Sequence, residues 1–151
     1  AWEFVRDTSL LVHKAGLKNV IVTNGSFGEQ VIDAVLPLTD AMNIDLKCFT
    51  KEGYQKLGGD IDVVKSFIRA AAASCHVEVT ALIVPDFNDS EEEMDELAAW
   101  LASINPEIPF HINRFFPGYE MMEKTPTPVE ELYRLAQRVR RRLKYVYVGN
   151  V

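Results

Sequence analysis

Three segments of the chain carry a polar residue at every second position, and the intervening residues are apolar. They are NIDLK (43–47), EVT (78–80) and HIN (111–113). In a β-strand every second side chain points the same way, so each segment places its polar groups on one face. An unpaired charge inside a packed barrel costs several kcal/mol, so an interior position of Asp45 and Lys47 implies that they pair with each other or meet a ligand.

Two structures are compatible with these polar faces. They could point to solvent, or they could line the inside of a curved barrel around a polar ligand. A solvent-facing side is typical of an antiparallel sheet, and the helical segments between the strands argue against that arrangement. The pattern therefore favours the ligand-lined barrel.

The elements that carry these faces alternate along the chain. Apolar spacing predicts helices at 2–15, about 27–36, 52–57, 61–74, 89–103 and 129–143. Strands are predicted at 19–23, 42–48, 76–84, 109–115 and 145–148. This order predicts an α/β fold of βα units with a parallel sheet, and we treat residues 1–151 as a single domain.

Further polar residues lie at the carboxyl ends of the predicted strands, where α/β folds place their sites. They are Asn24, Asn88 with Asp89, and Arg114. Each has a plainer interpretation: Asn24-Gly25 is an ordinary turn and Arg114 suits a surface. DSEE at 89–92 resembles a capping box, and we favour a helix-capping role for Asp89.

Bulk composition excludes several classes of protein. The chain is 48% hydrophobic and 25% charged with a net charge of −6, which is typical of a globular protein and not of one that binds nucleic acid. Neither a membrane span nor a signal peptide is evident, and both chain ends resemble cuts in a longer protein. Cys48 and Cys75 fit neither a disulfide framework nor a metal-ligand spacing, so we expect a cytoplasmic protein.

Five motifs in order resemble a known family. They are VTNG (22–25), NIDLK (43–47), VEVTALIVPDFNDSEEE (77–93), FHINRFFP (110–117) and YVYVGNV (145–151). The chain resembles radical S-adenosylmethionine (SAM) enzymes homologous to pyruvate formate-lyase activating enzyme, and most closely the AmmeMemoRadiSam-system branch. The resemblance covers essentially the whole chain.

This resemblance implies the C-terminal portion of a partial (β/α) barrel. Family members hold a [4Fe–4S] cluster with three cysteines, take an electron from a reductant such as flavodoxin or ferredoxin, and cleave SAM to a 5′-deoxyadenosyl radical. In the activating enzymes the radical takes a hydrogen atom from a glycine of a partner, a glycyl-radical enzyme; a small-molecule substrate is the other possibility.

Seven residues are implied at the SAM site. Asp45 and Lys47 match the family's D-x-K motif, which helps to hold SAM. Lys47 would offer a cation to the SAM carboxylate, and Asp45 would accept hydrogen bonds from SAM or orient Lys47. By position, the SAM or substrate wall would be completed by Asn24, Thr80, His111, Asn113 and Arg114.

The chain also departs from the family pattern. It has no three-cysteine cluster motif and no Gly-Gly-Glu segment of the type that contacts the SAM amino group. The cluster ligands are therefore expected outside this chain, which by itself should be inactive. Two alternatives stay open: an iron-free barrel lyase or aldolase with Lys47 as Schiff-base lysine and Glu78 or Asp45 as partner, and a non-catalytic scaffold or interaction domain.

Overall fold

Strands and helices alternate along the chain as the apolar spacing predicts. The structure is a computed structural model that describes residues 2–151. The helices are α1 Trp2–Lys14, α2 Glu29–Val35, α3 Lys51–Lys56, α4 Ile61–Ala72, α5 Glu91–Ile104 and α6 Val129–Val139. The strands are β1 Val20–Thr23, β2 Ala41–Asp45, β3 His76–Ile83, β4 Phe110–Arg114 and β5 Val146–Gly149. Short 3₁₀ turns occur at Leu36–Leu38 and Tyr119–Met121.

The five strands form one parallel sheet in the order β1-β2-β3-β4-β5. Each strand therefore lies beside its neighbour in sequence. Right-handed crossovers between such strands place all the connecting helices on the same face of the sheet. The predicted α/β fold with parallel strands is confirmed.

The core lies between that face and the helices. On the sheet side, Ile44, Val79 and Ile112 are fully buried. Phe67 of α4 and Leu132 of α6 are likewise inaccessible and belong to the same cluster. Burial of each such side chain contributes about 1.5–3 kcal/mol, so this layer is the main source of stability.

The opposite face of the sheet carries the polar residues. Asn43 and Asp45 of β2, Glu78 and Thr80 of β3, and His111 of β4 are all partly exposed, while their sequence neighbours are buried. The predicted alternation is therefore correct in the middle three strands. With helices on one face only, the sheet is a partial (β/α) barrel whose inner, concave face is accessible.

Two local predictions next to the polar face need correction. β2 ends at Asp45 and not at Cys48, because the buried side chain of Asn88 bridges the carbonyls of Lys47 and Leu82 where the ladder would continue. Asp89 does not cap α5. The N-cap is Ser90, whose hydroxyl accepts a hydrogen bond from Glu93 N, and the Asp89 carboxylate instead accepts from Asp86 N at 3.2 Å.

Among residues 2–151, no helix combines the length and the apolar character needed to cross a bilayer.

Candidate functional site

A row of four side chains crosses the concave face at one level. Asp45 of β2 is the register partner of Thr80, Thr80 of His111, and His111 of Tyr147. Neighbouring strands are about 4.8 Å apart, so this row extends for about 15 Å. It brings together three of the predicted site residues.

Asp45 and Lys47 form an ion pair at the carboxyl end of β2. Lys47 Nζ lies 2.5 Å from Asp45 Oδ2, and the two side chains are 41% and 30% exposed. The pair is thus half-solvated, and its ammonium retains donors for a second acceptor. A carboxylate ligand is the natural partner for those donors.

The chain that leaves β2 at residues 46–49, here called the β2 exit segment, is held although it belongs to no strand. Lys47 N donates to the hydroxyl of Tyr54 at 3.2 Å, and Lys47 O accepts from Asn88 Nδ2 at 2.7 Å. Farther along, Phe49 N donates to Glu93 Oε1 at 2.5 Å. Three side chains from three places in the sequence thus fix the backbone that carries Lys47.

Close packing of α3 against this segment depends on a glycine. A Cβ at Gly53 would lie 2.6 Å from Cys48 Sγ and 2.8 Å from Thr50 Oγ1. No side chain fits at that separation, so only glycine lets α3 approach and bring Tyr54 under Lys47.

A second polar cluster lies on the concave face next to the row. Glu78 accepts from His111 Nε2 at 2.6 Å and lies 3.3 Å from His76 Nε2. Burial raises the pKa of Glu78, but its hydrogen bonds and electrostatic interaction with His111 and His76 outweigh burial, and the net shift is downward. The His111 ring stacks on Tyr147 with centroids 5.3 Å apart, which fixes its orientation.

Two amide side chains complete the concave face. Asn43 Oδ1 accepts from Thr80 Oγ1 at 2.8 Å, so these polar groups satisfy each other across β2 and β3. Asn113 is the register partner of Gly149, and a Cβ at Gly149 would clash with Asn113 Oδ1. The glycine thus makes room for the Asn113 amide at the carboxyl edge.

The remaining two predicted residues have different surroundings. Asn24 follows Thr23, whose register partner is Ile44, so it lies at the level of Asp45; its Oδ1 accepts from Ser26 N in a turn. Arg114 has the opposite parity to Asn113. It donates through Nε to Thr127 O at 2.8 Å and stacks over Phe116, so the structure does not bring it to the concave face.

Sequence reasoning missed the residues that support the site from behind. Asn88 is 2% exposed, Tyr54 is 3% exposed, and Thr127 is fully buried, where it bonds Ile83 O and Phe115 N. For Asn88 the signal is its place in the PDFND segment after a predicted strand, and local pattern assigns that segment to a helix cap. Pairing of Asn88 with a carbonyl 41 residues away cannot be deduced from local pattern.

The cysteines do not fit an iron–sulfur cluster. Cys48 is buried against Thr50, Cys75 is half-buried, and burial raises the pKa of both thiols. Within residues 2–151 no group of three His, Cys, Asp or Glu side chains is arranged to hold a metal ion.

Comparison with known sequences shows similarity to a longer protein. An uncharacterized protein of Methanocaldococcus jannaschii is 35% identical over an alignment of 161 residues, which covers 99% of this chain and 45% of that protein. The chain thus spans less than half the length of that relative. No protein-family model matches the chain.

Solved structures show the fold. A domain of a pyruvate-formate lyase-activating enzyme from Bacteroides vulgatus superposes with a TM-score of 0.81 at 20% identity, covering 99% of this chain and 91% of that domain. Streptococcus suis SuiB, solved with bound SAM, gives 0.70 at 14% identity over 97% of this chain and 34% of SuiB. A radical SAM methyltransferase from Sphaerobacter thermophilus gives 0.67 at 16% identity over 89% of this chain and 42% of that enzyme. The resemblance to a radical SAM partial barrel, drawn from the motifs, is confirmed at the level of the fold.

Proposed function

We propose that this chain is part of a radical SAM enzyme, in which it forms one wall of the SAM and substrate site. The observation that carries the proposal is the Asp45–Lys47 pair, half-exposed at the carboxyl end of a parallel strand and on a concave polar face. Carboxyl ends of parallel strands are where barrel folds bind ligands.

Lys47 is the group that meets SAM in this proposal. SAM carries a carboxylate, and the Lys47 ammonium offers it a charge-assisted hydrogen bond. Asp45 orients Lys47 through their 2.5 Å contact. Lys47 is therefore expected to act as a fixed cation.

The rest of the concave face suits a polar ligand. Thr80 and His111 lie in the same row as Asp45, with Asn113 one level nearer the carboxyl edge and Asn24 beside Asp45. These groups offer hydroxyl, imidazole and amide hydrogen bonds to the sugar, the base or the substrate. We leave Arg114, the last residue of β4, out of this wall, because its Nε donates to Thr127 O in the loop before α6.

The iron–sulfur cluster of such an enzyme would be held by residues outside this chain, since Cys48 and Cys75 do not fit it. The whole protein would be a radical SAM oxidoreductase that generates a 5′-deoxyadenosyl radical. An activating enzyme would use it on a glycyl-radical-type partner, with flavodoxin or ferredoxin as reductant. The likeness to a pyruvate-formate lyase-activating enzyme domain supports this subtype.

The Asp45–Lys47 contact weighs against the iron-free aldolase. A Schiff base requires an amine that is free to attack a carbonyl carbon, and Lys47 Nζ is instead engaged by the Asp45 carboxylate at 2.5 Å. Borohydride trapping with a carbonyl substrate should accordingly leave Lys47 unmodified.

The proposal is tested by titrating SAM into the chain and into the Lys47→Met variant by isothermal calorimetry. We expect wild type to bind and Lys47→Met to raise Kd about tenfold or more, since a charge-assisted hydrogen bond is lost. Lys144→Met is the matched control, because Lys144 pairs with Glu107 at 2.7 Å near the opposite end of the sheet.

Kd of the control should stay within about twofold of wild type. Absence of SAM binding to the wild-type chain would leave the scaffold alternative as the better interpretation. Equal Kd values for wild type and Lys47→Met would remove Lys47 from the site.

A further inference from the structure

Asn88 ties two carboxyl ends of the sheet together with one side chain. Its Nδ2 donates to Lys47 O at 2.7 Å and to Leu82 O at 2.8 Å, and its Oδ1 accepts from Val84 N at 2.7 Å. The residue is 2% exposed, so water cannot replace these partners without a local opening. Asn88 thereby fixes the separation between β3 and the β2 exit segment.

Tyr54 of α3 also binds Lys47, through the backbone N. Its hydroxyl accepts from Lys47 N at 3.2 Å, and the ring is 3% exposed. Burial, the largest influence, raises the pKa of Tyr54 to about 12, so the hydroxyl stays protonated at neutral pH. Both backbone polar groups of Lys47 are therefore held by buried side chains.

We propose that Asn88 and Tyr54 are positioning residues for Lys47, and that they set the affinity of the chain for SAM by fixing the Lys47 backbone. The inference rests on the proposed function, because it assigns the support of the same ammonium group. Neither residue is expected to touch the ligand.

Lys47 lies two residues beyond Asp45, the last strand residue of β2. The preceding residue still pairs with β3, since Leu46 N donates to Thr80 O at 2.9 Å, but N and O of Lys47 bind the side chains of Tyr54 and Asn88 instead of a neighbouring strand. A lysine side chain has four flexible bonds, and a mobile backbone would add to the entropy lost when the ammonium binds. Two buried anchors remove that backbone freedom before the ligand arrives.

A helix-capping role does not account for Asn88. Ser90 caps α5, and the helix begins at Glu91, so the side chain of Asn88 is not needed there. Its two donors instead bind carbonyls on two different strand ends. Tyr54 comes from α3, a separate element, and reaches the same residue.

The test compares Asn88→Ala with Asn19→Ala. Asn19 is also buried, at 8% exposure, and its Nδ2 donates to two carbonyls, Ser9 O at 3.1 Å and Leu38 O at 2.9 Å. These partners lie at the amino end of the sheet. The two variants therefore lose similar bonds at opposite ends, and SAM calorimetry is combined with amide hydrogen exchange on both.

We expect Asn88→Ala to raise Kd for SAM about tenfold and to speed exchange of the amides of residues 47–49. Asn19→Ala should speed exchange near residues 40–41 and leave Kd within about twofold. Tyr54→Phe, which keeps the ring and loses only the acceptor, should raise Kd about threefold; Tyr133→Phe, at a half-exposed tyrosine of α6, should not change it.

Tyr54→Phe keeps the test decisive if Asn88→Ala does not fold. Equal Kd changes in Asn88→Ala and Asn19→Ala would show a general loss of stability and overturn the inference. An unchanged Kd in a folded Asn88→Ala or Tyr54→Phe chain would overturn it as well, while wild-type SAM binding left the proposed function intact. A wild-type chain that does not bind SAM would overturn both the proposed function and this inference.

Discussion

A buried asparagine closes each end of the parallel sheet. At the amino end, Asn19 ties α1 to the 3₁₀ turn before β2, and its backbone N donates to Asp40 Oδ2 at 2.8 Å. At the carboxyl end, Asn88 ties the β2 exit segment to β3. The bonding is similar, but the residues that are held differ.

The two asparagines differ in the residues whose backbone carbonyls they bind. Asn19 connects carbonyls of Ser9 and Leu38, whose side chains belong to the scaffold. Asn88 holds Lys47, whose ammonium is half-exposed beside Asp45. One end of the sheet is thus built for stability alone, and the other uses the same device to place a charged group.

The largest expected effect comes from replacing either buried asparagine, Asn19 or Asn88, with a charged aspartate. Asn88→Asp and Asn19→Asp each lose two donors and bury a carboxylate opposite two carbonyl oxygens. We expect each to lower the free energy of unfolding by about 3–5 kcal/mol, measured by urea denaturation.

Similar losses would show that Asn19 and Asn88 contribute equally to the free energy of unfolding. A loss below about 1 kcal/mol in Asn88→Asp would mean that its bonds to Lys47 O and Leu82 O are not made, and the comparison would fail.

The sequence predicted the fold well because periodicity reports which side chains are buried. Strand alternation in 43–47, 78–80 and 111–113 placed the polar groups on one face, and the parallel sheet followed from the helices between strands. Asp45 and Lys47 were found for the same reason. What the pattern could not supply was the contact between distant segments.

The side chains that hold the β2 exit segment illustrate that limit. Tyr54 lies seven residues from Lys47 and Asn88 lies 41 residues away, and each hydrogen bond depends on tertiary packing. Glu93 sits in an acidic run at a helix start, where the helix dipole alone explains such residues, yet its carboxylate reaches Phe49 N. Local rules place Asn88 and Glu93 at a helix start and give Tyr54 no role, and only the fold reveals their partners.

A smaller effect is expected where α3 packs under the β2 exit segment. Gly53→Ala places a Cβ 2.6 Å from the buried Cys48 Sγ, so the segment or the helix must shift. We expect a loss of about 1–3 kcal/mol in the free energy of unfolding and faster amide exchange at residues 47–49. Gly118→Ala is the control, because its Cβ would meet open space. Equal stability of the two variants would show that the segment is not tightly packed.

The smallest effects are pH-dependent, and they have opposite signs at the two ends. At the amino end, hydrogen bonds from Lys18, Asn19 N and His13 hold the pKa of Asp40 far below its ordinary value of 3.8. A carboxyl whose pKa falls on folding stabilises the fold above its unfolded value. That contribution is complete above pH 3.8 and is lost as the pH falls below it.

At the carboxyl end, burial raises the pKa of Glu93 above its ordinary value of 4.5, although the Phe49 N–H opposes the shift. The ionised form therefore disfavours the fold. This penalty is present above the folded pKa and is relieved as the pH falls through that value toward 4.5.

Glu93→Gln keeps an acceptor for Phe49 N and removes the charge. We expect it to equal or exceed wild type in stability at pH 7, by less than about 1 kcal/mol, with the difference vanishing near pH 4.5.

Asp40→Asn should lower the thermal midpoint at pH 7 and converge with wild type only below pH 3.8, because its hydrogen-bonded carboxylate is lost. Urea and thermal denaturation from pH 3 to 7 measure both. A Glu93→Gln chain clearly less stable than wild type at pH 7 would mean that the ionised carboxylate supports the β2 exit segment, and the two ends would then respond to acid in the same direction.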